Sequence, residues 1–458
     1  MHTKPRGPAD PAAPANPAPR GPADPAAPAN PAVPEGPAPR GPAGPAAPAS
    51  DPPADHRRLG RELRLFVTDP LAGAGLPLWL PDGAVIRAEL ERLAAEEAVR
   101  GGCQRVYTPV LAKRALFEQS GHWAKFADDM FPPMRVGNEE FILRPANCPH
   151  HALIYAAEQR SFRDLPVRLS ELGSMFRSEL SGVLGGLSRV RQINLDDTHV
   201  FCAPWQVRDE IVRGVEAVRR CYRLLGIDVA RYRLSRRGSG EGYLGDARLW
   251  VDAERQLVAA LAGLGLEFED APGEAAFYGP KIDVQVTDPA GREETLSTVQ
   301  IDFNQPERFD LRFIGSDGAS QRPVMIHRGV LSAMERLVAH LTEQYEGAFP
   351  PWLAPVQLLV LPVAEANAEQ ARLVAGRAAA AGLRAECAPA DATLKARIRR
   401  AHDRRIPYIA VIGDREAGSD AVALRLRDGR RIDGVSVDRL IPHLADLVAS
   451  RSADLGFR

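Results

Sequence analysis

Cysteine and long apolar runs are both scarce in this chain of 458 residues. Five cysteines occur, at positions 103, 148, 202, 221 and 387, and no two of them form a Cys-X-X-Cys pair. This odd, scattered set excludes a disulfide framework and favours a reducing compartment. No stretch approaches the roughly 18 consecutive apolar residues of a membrane span, and the N-terminus has no apolar leader segment. We therefore expect a cytoplasmic protein that makes no contact with a membrane.

An excess of one charge is missing too, because 58 basic residues nearly balance 59 acidic ones. Any contact with nucleic acid must therefore be local. Only five of the basic residues are lysine. One of them, Lys281, precedes a predicted strand, where its compact ammonium can act as a point charge. The Gly-rich phosphate-binding sequences of P-loop and Rossmann proteins are absent, which disfavours those nucleotide sites.

The first 54 residues form a separate compositional class. They hold 18 of the 40 prolines and repeat a Pro/Ala-rich unit that starts at Arg6, at Arg20 and, in degraded form, at Arg40. Because the only large aliphatic side chain is that of Val33, this segment cannot bury a core, and we predict a disordered tail over residues 1–54. A ligand for an SH3-type domain is an alternative reading.

Beyond the tail, two folded regions are expected, residues 55–350 and 351–458. The spacing of apolar residues predicts a helix over Ala84–Arg100, and alternation with a Gly-containing turn predicts paired strands over Tyr278–Phe303. A central antiparallel sheet follows for the first region. The second region reads as a compact α/β domain of about 100 residues that opens with a strand over Val356–Val363.

Basic residues concentrate in the second region. The predicted helix Leu394–Arg405 carries Lys395, Arg397, Arg399, Arg400, Arg404 and Arg405. A neighbouring strand and turn add Arg425, Arg427, Arg430 and Arg431. A solvated face is one reading of such a cluster, but the second group favours a surface for an RNA backbone.

Chemistry-bearing residues cluster between positions 141 and 201. The segment Arg144–His151 places a thiol and two imidazoles in a proline-stiffened turn, which suits a metal site or a nucleophile. The Gly-rich stretch Ser181–Gly186 lies between Arg-bearing segments, an arrangement that suits a triphosphate. Further on, His327 lies at the end of an apolar strand and Arg336 on the helix that follows.

Eight ordered segments carry a family resemblance. They are Asp55–Gly60, Gly121–Trp123, Asn147–Pro149, Arg163–Pro166, Asp196–Phe201, Phe277–Lys281, Thr298–Phe303 and Met325–Arg328. Together they resemble the class II aminoacyl-tRNA synthetases, and among them the threonyl-tRNA synthetase family. The segments Arg405–Tyr408 and Val411–Asp414 resemble its anticodon-binding domain. The resemblance implies an α+β class II catalytic domain with a central antiparallel sheet over residues 55–350 and an α/β anticodon-binding domain over 351–458.

The same resemblance implies the reaction and its metal ions. ATP would activate L-threonine to threonyl-adenylate, and the threonyl group would pass to the 3′ end of tRNA(Thr). One Zn²⁺ per subunit would be held by Cys148, His199 and His327, and Mg²⁺ would accompany ATP. Asp197 would accept from the threonine hydroxyl and Tyr278 would line the amino-acid side. Valine, which lacks that hydroxyl, would leave the metal and Asp197 unsatisfied.

For ATP, the resemblance implies five residues. Arg177 would contact the α-phosphate, and Arg189 and Arg336 the γ-phosphate end. Glu179 would read the adenine amino group and Gln300 would line the nucleotide side. The three arginines would stabilise the negative charge that develops as the threonine carboxylate attacks and pyrophosphate leaves.

For the remaining roles, the resemblance implies Lys281 on the phosphate side and His122 near the terminal ribose of the tRNA. It places anticodon reading at Glu416 and Arg425, and a homodimer interface near Tyr107–Pro109. The Pro/Ala tail stands where most bacterial members carry editing domains, so we expect no hydrolysis of seryl-tRNA in cis.

Five positions in or beside the active site depart from the family pattern. They are Ala146, His150, Ile193, Leu195 and Ala333, where the family usually has Met, Gly, Phe, Gln and Ser. The departures leave two alternatives open. One is a paralogue with a specialised role, in inhibitor resistance or in activating a β-hydroxy amino acid for a secondary pathway. The other is a non-catalytic tRNA-binding paralogue.

Overall fold

The structure, a computed structural model, describes residues 54–240 and 243–457. Up to residue 345 its helices are α1 (His56–Glu62), α2 (Pro81–Arg100), α3 (Arg114–Gln119), α4 (His122–Phe126), α5 (Cys148–Ala156), α6 (Val207–Leu225), α7 (Ala247–Gly263), α8 (Asn304–Arg308) and α9 (Met334–Gln344). Its strands are β1 (Phe66–Val67), β2 (Leu78–Trp79), β3 (Gln104–Arg105), β4 (Leu111–Lys113), β5 (Met134–Val136), β6 (Glu139–Leu143), β7 (Val167–Phe176), β8 (Gln192–Cys202), β9 (Arg231–Arg236), β10 (Phe268–Pro272), β11 (Lys281–Thr287), β12 (Glu293–Asp302), β13 (Phe313–Ile314), β14 (Ser320–Gln321) and β15 (Val324–Gly329). The predicted tail lies outside the described residues, except for Ala54.

An eight-stranded sheet forms the centre of this first part, in the order β10-β9-β11-β12-β15-β8-β7-β3. The pairs β10–β9 and β3–β7 at its two edges are parallel, and the other neighbours are antiparallel. The expectation of a central antiparallel sheet is confirmed. Its register places Gln300, His327 and His199 directly opposite one another on three adjacent strands, so their side chains share one face.

The other face of the sheet is covered by helices. Alternate residues of the same strands, such as Val200, Val299 and Ile326, are fully buried there against α2, α6, α7 and α9. Strand alternation thus separates a polar face from an apolar core within single strands. The predicted helix Ala84–Arg100 is confirmed as α2, which begins three residues earlier, at Pro81, and ends at Gly101.

The predicted turn at Arg144–His151 is wrong in part. Cys148 is the first residue of α5, and Pro149 occupies its first turn. Proline favours that position because its fixed φ suits a helix and its missing N–H has no partner there in any case. The thiol therefore projects from a helix start rather than from a loop.

The second part holds α10 (Ala368–Ala380), α11 (Leu394–Asp403), α12 (Asp414–Ala417), α13 (Val437–Ala449), β16 (Leu358–Pro362), β17 (Ala385–Cys387), β18 (Tyr408–Ile412), β19 (Ala421–Leu426) and β20 (Arg431–Ser436). The strands form one sheet in the order β17-β16-β18-β19-β20, parallel over the first three and antiparallel beyond. Helices α10 and α13 pack on one face and α11 on the other. The predicted α/β domain is confirmed. In the described part of the chain, no helix combines the length and apolarity that a bilayer crossing requires.

Candidate active site

Three side chains that commonly bind metals meet on the polar face of the eight-stranded sheet. Cys148 projects from the start of α5, His199 lies on β8, and His327 lies opposite His199 on β15. The sulfur of Cys148 and one ring nitrogen of each histidine lie within 4.8 Å of one another. The structure therefore brings together the three residues whose separation in sequence gave no sign of a common site.

The hydrogen bonds around His327 test whether this group suits a metal ion. Asp302 Oδ2 lies 2.9 Å from His327 Nε2, and the other oxygen of Asp302 accepts two backbone N–H groups. Because the carboxylate can only accept, His327 carries its hydrogen on Nε2 and turns a bare Nδ1 toward His199 Nε2, 2.9 Å away. A cysteine sulfur with two imidazole nitrogens is a donor set typical of Zn²⁺, and an outer carboxylate on a ligating histidine is its usual companion. The residues fit this ion.

Burial shifts the pKa values in this group. It raises the pKa of Cys148 well above its usual value, and it lowers the pKa of His199 well below. Asp197 Oδ1 lies 3.7 Å from His199 Nε2. Burial, with the charges of Asp196 and Glu171, raises the pKa of Asp197 to about 8. A positive ion among these atoms opposes the shifts of Cys148 and Asp197, because it favours the thiolate and the carboxylate, and it adds to the shift of His199, because it favours the neutral imidazole.

A cavity of about 230 Å³ opens beside the three side chains. Eight of the residues predicted for the site line it: Cys148, Arg177, Asp197, His199, Tyr278, Gln300, His327 and Arg336. The cavity thus joins the Cys/His/His group to three arginines, the predicted Arg177 and Arg336 and also Arg328. Four predicted residues, His122, Glu179, Arg189 and Lys281, do not line it.

The two predicted arginines of the cavity lie on separate elements. Arg177 directly follows β7, and Arg336 lies in the first turn of α9. Arg336 donates to two backbone carbonyls, that of Thr295 at 3.0 Å and that of Ser188 at 3.3 Å. Arg336 therefore connects the helix to the loop between β7 and β8.

That loop is held at two further points. Arg189 pairs with Glu179 at 2.7 Å across the loop. At its tip, the backbone N–H of Leu187 donates to His56 Nε2 at 3.1 Å, and His56 Nδ1 in turn donates to Glu343 at 2.7 Å. Although the donor atoms of Asp55, His56 and Glu343 cluster closely enough for a metal, both ring nitrogens of His56 are already engaged. We therefore interpret His56 as an anchor for the loop.

The other two predicted residues lie just outside the cavity. Lys281 Nζ donates to both oxygens of the buried Asp283, at 2.7 and 3.0 Å, and Lys281 lies opposite Gln300 on the next strand. His122 is buried at the start of α4, with its Nε2 3.6 Å from the sulfur of Cys148. Burial lowers the pKa of His122 to about 3, so the ring is neutral.

Two of the five departures from the family pattern line the same cavity. Ala146 and Leu195 line it, and Leu195 pairs with Ala333 through a backbone bridge. Ile193 lies opposite Met175 on β7. His150 is buried, and within the described residues neither of its ring nitrogens has a hydrogen-bond partner. Burial lowers its pKa to about 4, which keeps it neutral.

Sequence reasoning missed a buried network behind the Cys/His/His group. Glu171 on β7 accepts from Arg144 at 3.0 Å and from Thr108 at 2.7 Å, and it lies 3.3 Å from His151 Nε2. Burial raises the pKa of Glu171, but the hydrogen bonds from His151, Thr108 and Arg144 outweigh it and lower the pKa to about 2. No local pattern marked Glu171, because its partners come from two segments distant from it in sequence, one with Thr108 and one with Arg144 and His151.

In the second part of the structure, part of the predicted basic face is wrong. Arg397 is buried and donates to four backbone carbonyls, those of Pro362, Val363, Pro389 and Ala392. Its guanidinium therefore stabilises the fold through these hydrogen bonds and is not available to a binding partner. Arg400, Arg404 and Arg430 pair with Asp391, Glu386 and Asp428.

Other basic side chains of this part remain accessible. Arg425 on β19 lies directly opposite Arg431 on β20. Burial and the neighbouring charge of Arg431 lower the pKa of Arg425. Like charges directly opposite on antiparallel strands are destabilising unless an anion is bound between them. Glu416 lies on α12, where it accepts from Arg415 and from the backbone of Gly413.

Two family models match the chain. Residues 133–345 match the tRNA synthetase class II core domain (G, H, P, S and T), and residues 357–447 match the anticodon binding domain. The threonine–tRNA ligase of Halalkalibacterium halodurans is 48% identical over 394 residues, which are 85% of this chain and 61% of that protein. The chain thus spans about three fifths of the length of the curated relatives it matches.

Solved structures share the same architecture. The RNA binding domain of threonyl-tRNA synthetase from Cryptosporidium parvum Iowa II matches with a TM-score of 0.82 at 34% identity, over 86% of this chain and 98% of that chain. A prolyl-tRNA synthetase from Cryptosporidium parvum matches with a TM-score of 0.67 at 15% identity, over 87% and 76% of the two chains. At that identity the second likeness concerns the fold alone.

Proposed function

Because this chain belongs to the threonyl-tRNA synthetase family of the class II aminoacyl-tRNA synthetases, we propose that it activates L-threonine with ATP and transfers it to the 3′ end of tRNA(Thr). The observation that carries the proposal is the single cavity in which a Cys/His/His group faces the two predicted arginines from separate elements. The retained metal-binding group and arginines argue against a non-catalytic relative.

Threonine would bind at the Cys/His/His end of the cavity. Cys148, His199 and His327 would hold one Zn²⁺ per subunit, and this ion would supply open positions for the amino and hydroxyl groups of the substrate. Asp197, which lines the same cavity, would accept from the hydroxyl, and Tyr278 would close the amino-acid side. Serine keeps both groups and lacks only a methyl, so we expect discrimination against it of only about 10- to 200-fold.

ATP would bind at the arginine end, with Mg²⁺ on its phosphates. As the threonine carboxylate attacks the α-phosphorus and pyrophosphate leaves, Arg177 and Arg336 would stabilise the developing negative charge. Gln300 would contact the nucleotide side. Glu179 and Arg189 would have to exchange their mutual ion pair for contacts to adenine and to the γ-phosphate.

Three further residues complete the assignment. Lys281 would contribute positive charge on the phosphate side, next to Gln300. His122, which is buried against Cys148, would support the side of the site where the tRNA ribose arrives. The exposed Tyr107, in the segment Tyr107–Pro109 that precedes β4, supports a homodimer interface there.

The tRNA would also contact the second part of the chain. Arg425 and its cross-strand neighbour Arg431 form a positive site for an RNA backbone or base, with Glu416 close by in sequence. We place the catalytic domain at residues 55–350 and the anticodon-binding domain at 351–458, and the family matches, which end at 345 and begin again at 357, support the division between the two.

Charging of tRNA with labelled threonine tests the proposal. With ATP, Mg²⁺ and bulk tRNA, the zinc-loaded full chain should make threonyl-tRNA. Arg336→Ala should reduce the rate by at least about 100-fold, because a transition-state contact is lost. The exposed Arg248→Ala serves as the matched control and should leave the rate unchanged. Exchange of pyrophosphate without charging would contradict the tRNA step, and absence of both reactions would contradict the enzyme assignment.

A further inference from the structure

Behind the metal-binding group, a line of three buried side chains runs from Glu171 to His199. Glu171 Oε2 lies 3.3 Å from His151 Nε2, and His151 Nδ1 lies 2.8 Å from His199 Nδ1. All three side chains are at most 5% exposed. In the described residues, the His151 ring contacts no hydrogen-bonding group other than these two. The line therefore has one defined start and one defined end.

The direction of the hydrogen bonds in this line follows from the charge state of Glu171. Glu171 is ionised, because Arg144 and Thr108 donate to it, and an ionised carboxylate can only accept. His151 must then carry its hydrogen on Nε2 and leave Nδ1 bare. His199 Nδ1 must donate to that bare nitrogen, so His199 carries no hydrogen on Nε2.

A second carboxylate gives the same result from the opposite side. Asp302 places the hydrogen of His327 on Nε2, which leaves Nδ1 bare. The two bare nitrogens, His199 Nε2 and His327 Nδ1, face each other at 2.9 Å. Two lone pairs at this distance repel each other unless a positive centre lies between or beside them.

We propose that Glu171 and His151 are positioning residues that fix the hydrogen of His199 on Nδ1, so that its Nε2 is always available to a metal ion. This inference rests on the zinc site of the proposed function. Neither residue touches the ion. Their effect is to remove the competing tautomer, in which a hydrogen on Nε2 blocks the ligand position.

Replacing Glu171 by Gln tests whether this line fixes the hydrogen of His199. Arg144 has only donors, so it holds the amide oxygen of the new side chain and turns the NH₂ group toward His151. The NH₂ group then donates to His151 Nε2, which moves the ring hydrogen to Nδ1. His151 then donates to His199, whose own hydrogen moves to Nε2. The substitution therefore reverses the direction of both hydrogen bonds in the line. The shape of the side chain at position 171 hardly changes.

The readout is zinc affinity, measured on metal-depleted full chain by competition with a chromophoric chelator. Glu171→Gln should weaken zinc binding about 10- to 100-fold. Glu210→Gln is the matched control, because Glu210 is equally buried and also paired with an arginine, Arg168, but does not contact the site. It should leave zinc affinity unchanged.

A second pair of variants separates positioning from packing. His151→Gln retains one donor and one acceptor, whereas His151→Leu retains neither. The first should bind zinc more tightly than the second, and a Co²⁺-substituted sample should show altered ligand-field bands only in the weaker binder. Equal zinc affinity for Glu171→Gln and the unchanged chain would overturn the positioning role of Glu171 and His151 but not the metal site. Failure of the unchanged chain to bind zinc would overturn the metal site as well.

Discussion

At the residue scale, the proposed zinc site depends first on the thiol of Cys148. We expect Cys148→Ala to lose its zinc and to reduce threonine-dependent pyrophosphate exchange by at least about 100-fold, because one of three protein ligands is missing. ATP binding should change by less than about threefold, because Arg177 and Arg336 lie on other elements. Metal analysis and equilibrium dialysis measure the two effects.

Cys202→Ala is the control for that experiment. Cys202 is also a buried free cysteine, but it lies at the end of β8 in the apolar core. It should retain zinc and exchange activity. Equal zinc content in Cys148→Ala and the unchanged chain would contradict the assignment of the ligand.

A second residue-scale prediction concerns stability. Arg144 is buried, and it donates to Glu171 and to the carbonyls of Thr108 and Ser174. Arg144→Met should destabilise the fold by about 3–5 kcal/mol, because it leaves a buried carboxylate without its cation. Thermal unfolding measures the loss. The exposed Arg135→Met should be neutral within about 0.5 kcal/mol, and an equal loss in both variants would contradict this reading.

The residues also show where sequence reasoning ends. Cys148, His199 and His327 could be named only through a resemblance, because β8 and β15 become neighbours through sheet pairing and not through spacing. Glu171 could not be named at all, and His151 appears in the sequence only as one of two imidazoles in the segment Arg144–His151. Their roles depend on distances between segments, and no periodic pattern encodes those distances.

At the element scale, the position of the loop between β7 and β8 depends on one glycine. Gly186 adopts a φ of +58°, and a Cβ there would lie 2.4 Å from His56 Nε2. Gly186→Ala should therefore displace the loop that carries Glu179 and Arg189, at a cost of about 1–2 kcal/mol. We expect a rise of about 5- to 30-fold in the KM for ATP.

Gly182→Ala in the same loop is the matched control for this prediction. Apart from its chain neighbours, no atom of the described residues lies within 4 Å of the position that its Cβ would take, so the KM for ATP should stay unchanged. Steady-state exchange at varied ATP concentration measures both variants. If the KM for ATP is the same in the two variants, the anchor at His56 has no influence on nucleotide binding.

Elements themselves were predictable wherever pattern and boundary signals agreed. The strand pair β11 and β12 followed from alternation around a Gly-containing turn, and α2 followed from helical spacing with Gly101 at its end. The start of α5 was misread as a turn because proline breaks helices more often than it begins them. Local pattern cannot distinguish these two uses of proline.

At the scale of the whole molecule, activation and tRNA binding are assigned to different parts of the chain. Arg425→Ala should weaken tRNA binding and reduce its salt dependence by about one phosphate contact, because one cation is lost. Threonine-dependent pyrophosphate exchange should not change. Filter binding at several salt concentrations measures the first effect.

Arg430→Ala is the control for the tRNA experiment, since its guanidinium is already paired with Asp428. It should bind tRNA with nearly unchanged affinity. Loss of exchange activity in Arg425→Ala would contradict the separation of the two functions.

The architecture of the whole molecule was predictable because each part is recognisable by itself. The boundary near residue 350 appeared as a change from an antiparallel pattern to alternating strands and helices. The charge distribution was less predictable. The predicted helix Leu394–Arg405 carries six cations, but Arg397 donates to backbone carbonyls, and Arg400 and Arg404 form ion pairs. Sequence shows which charges exist, and only packing shows which remain free.

The proposed selection of threonine through its hydroxyl is tested by amino-acid-dependent pyrophosphate exchange on the zinc-loaded full chain. Threonine, serine and valine are compared side by side. A metal site that binds a hydroxyl predicts exchange with threonine, exchange with serine weaker by about 10- to 200-fold, and rejection of valine by about 10⁴-fold or more. Exchange with valine at a rate near that of threonine, or no exchange with any of the three, would contradict the account.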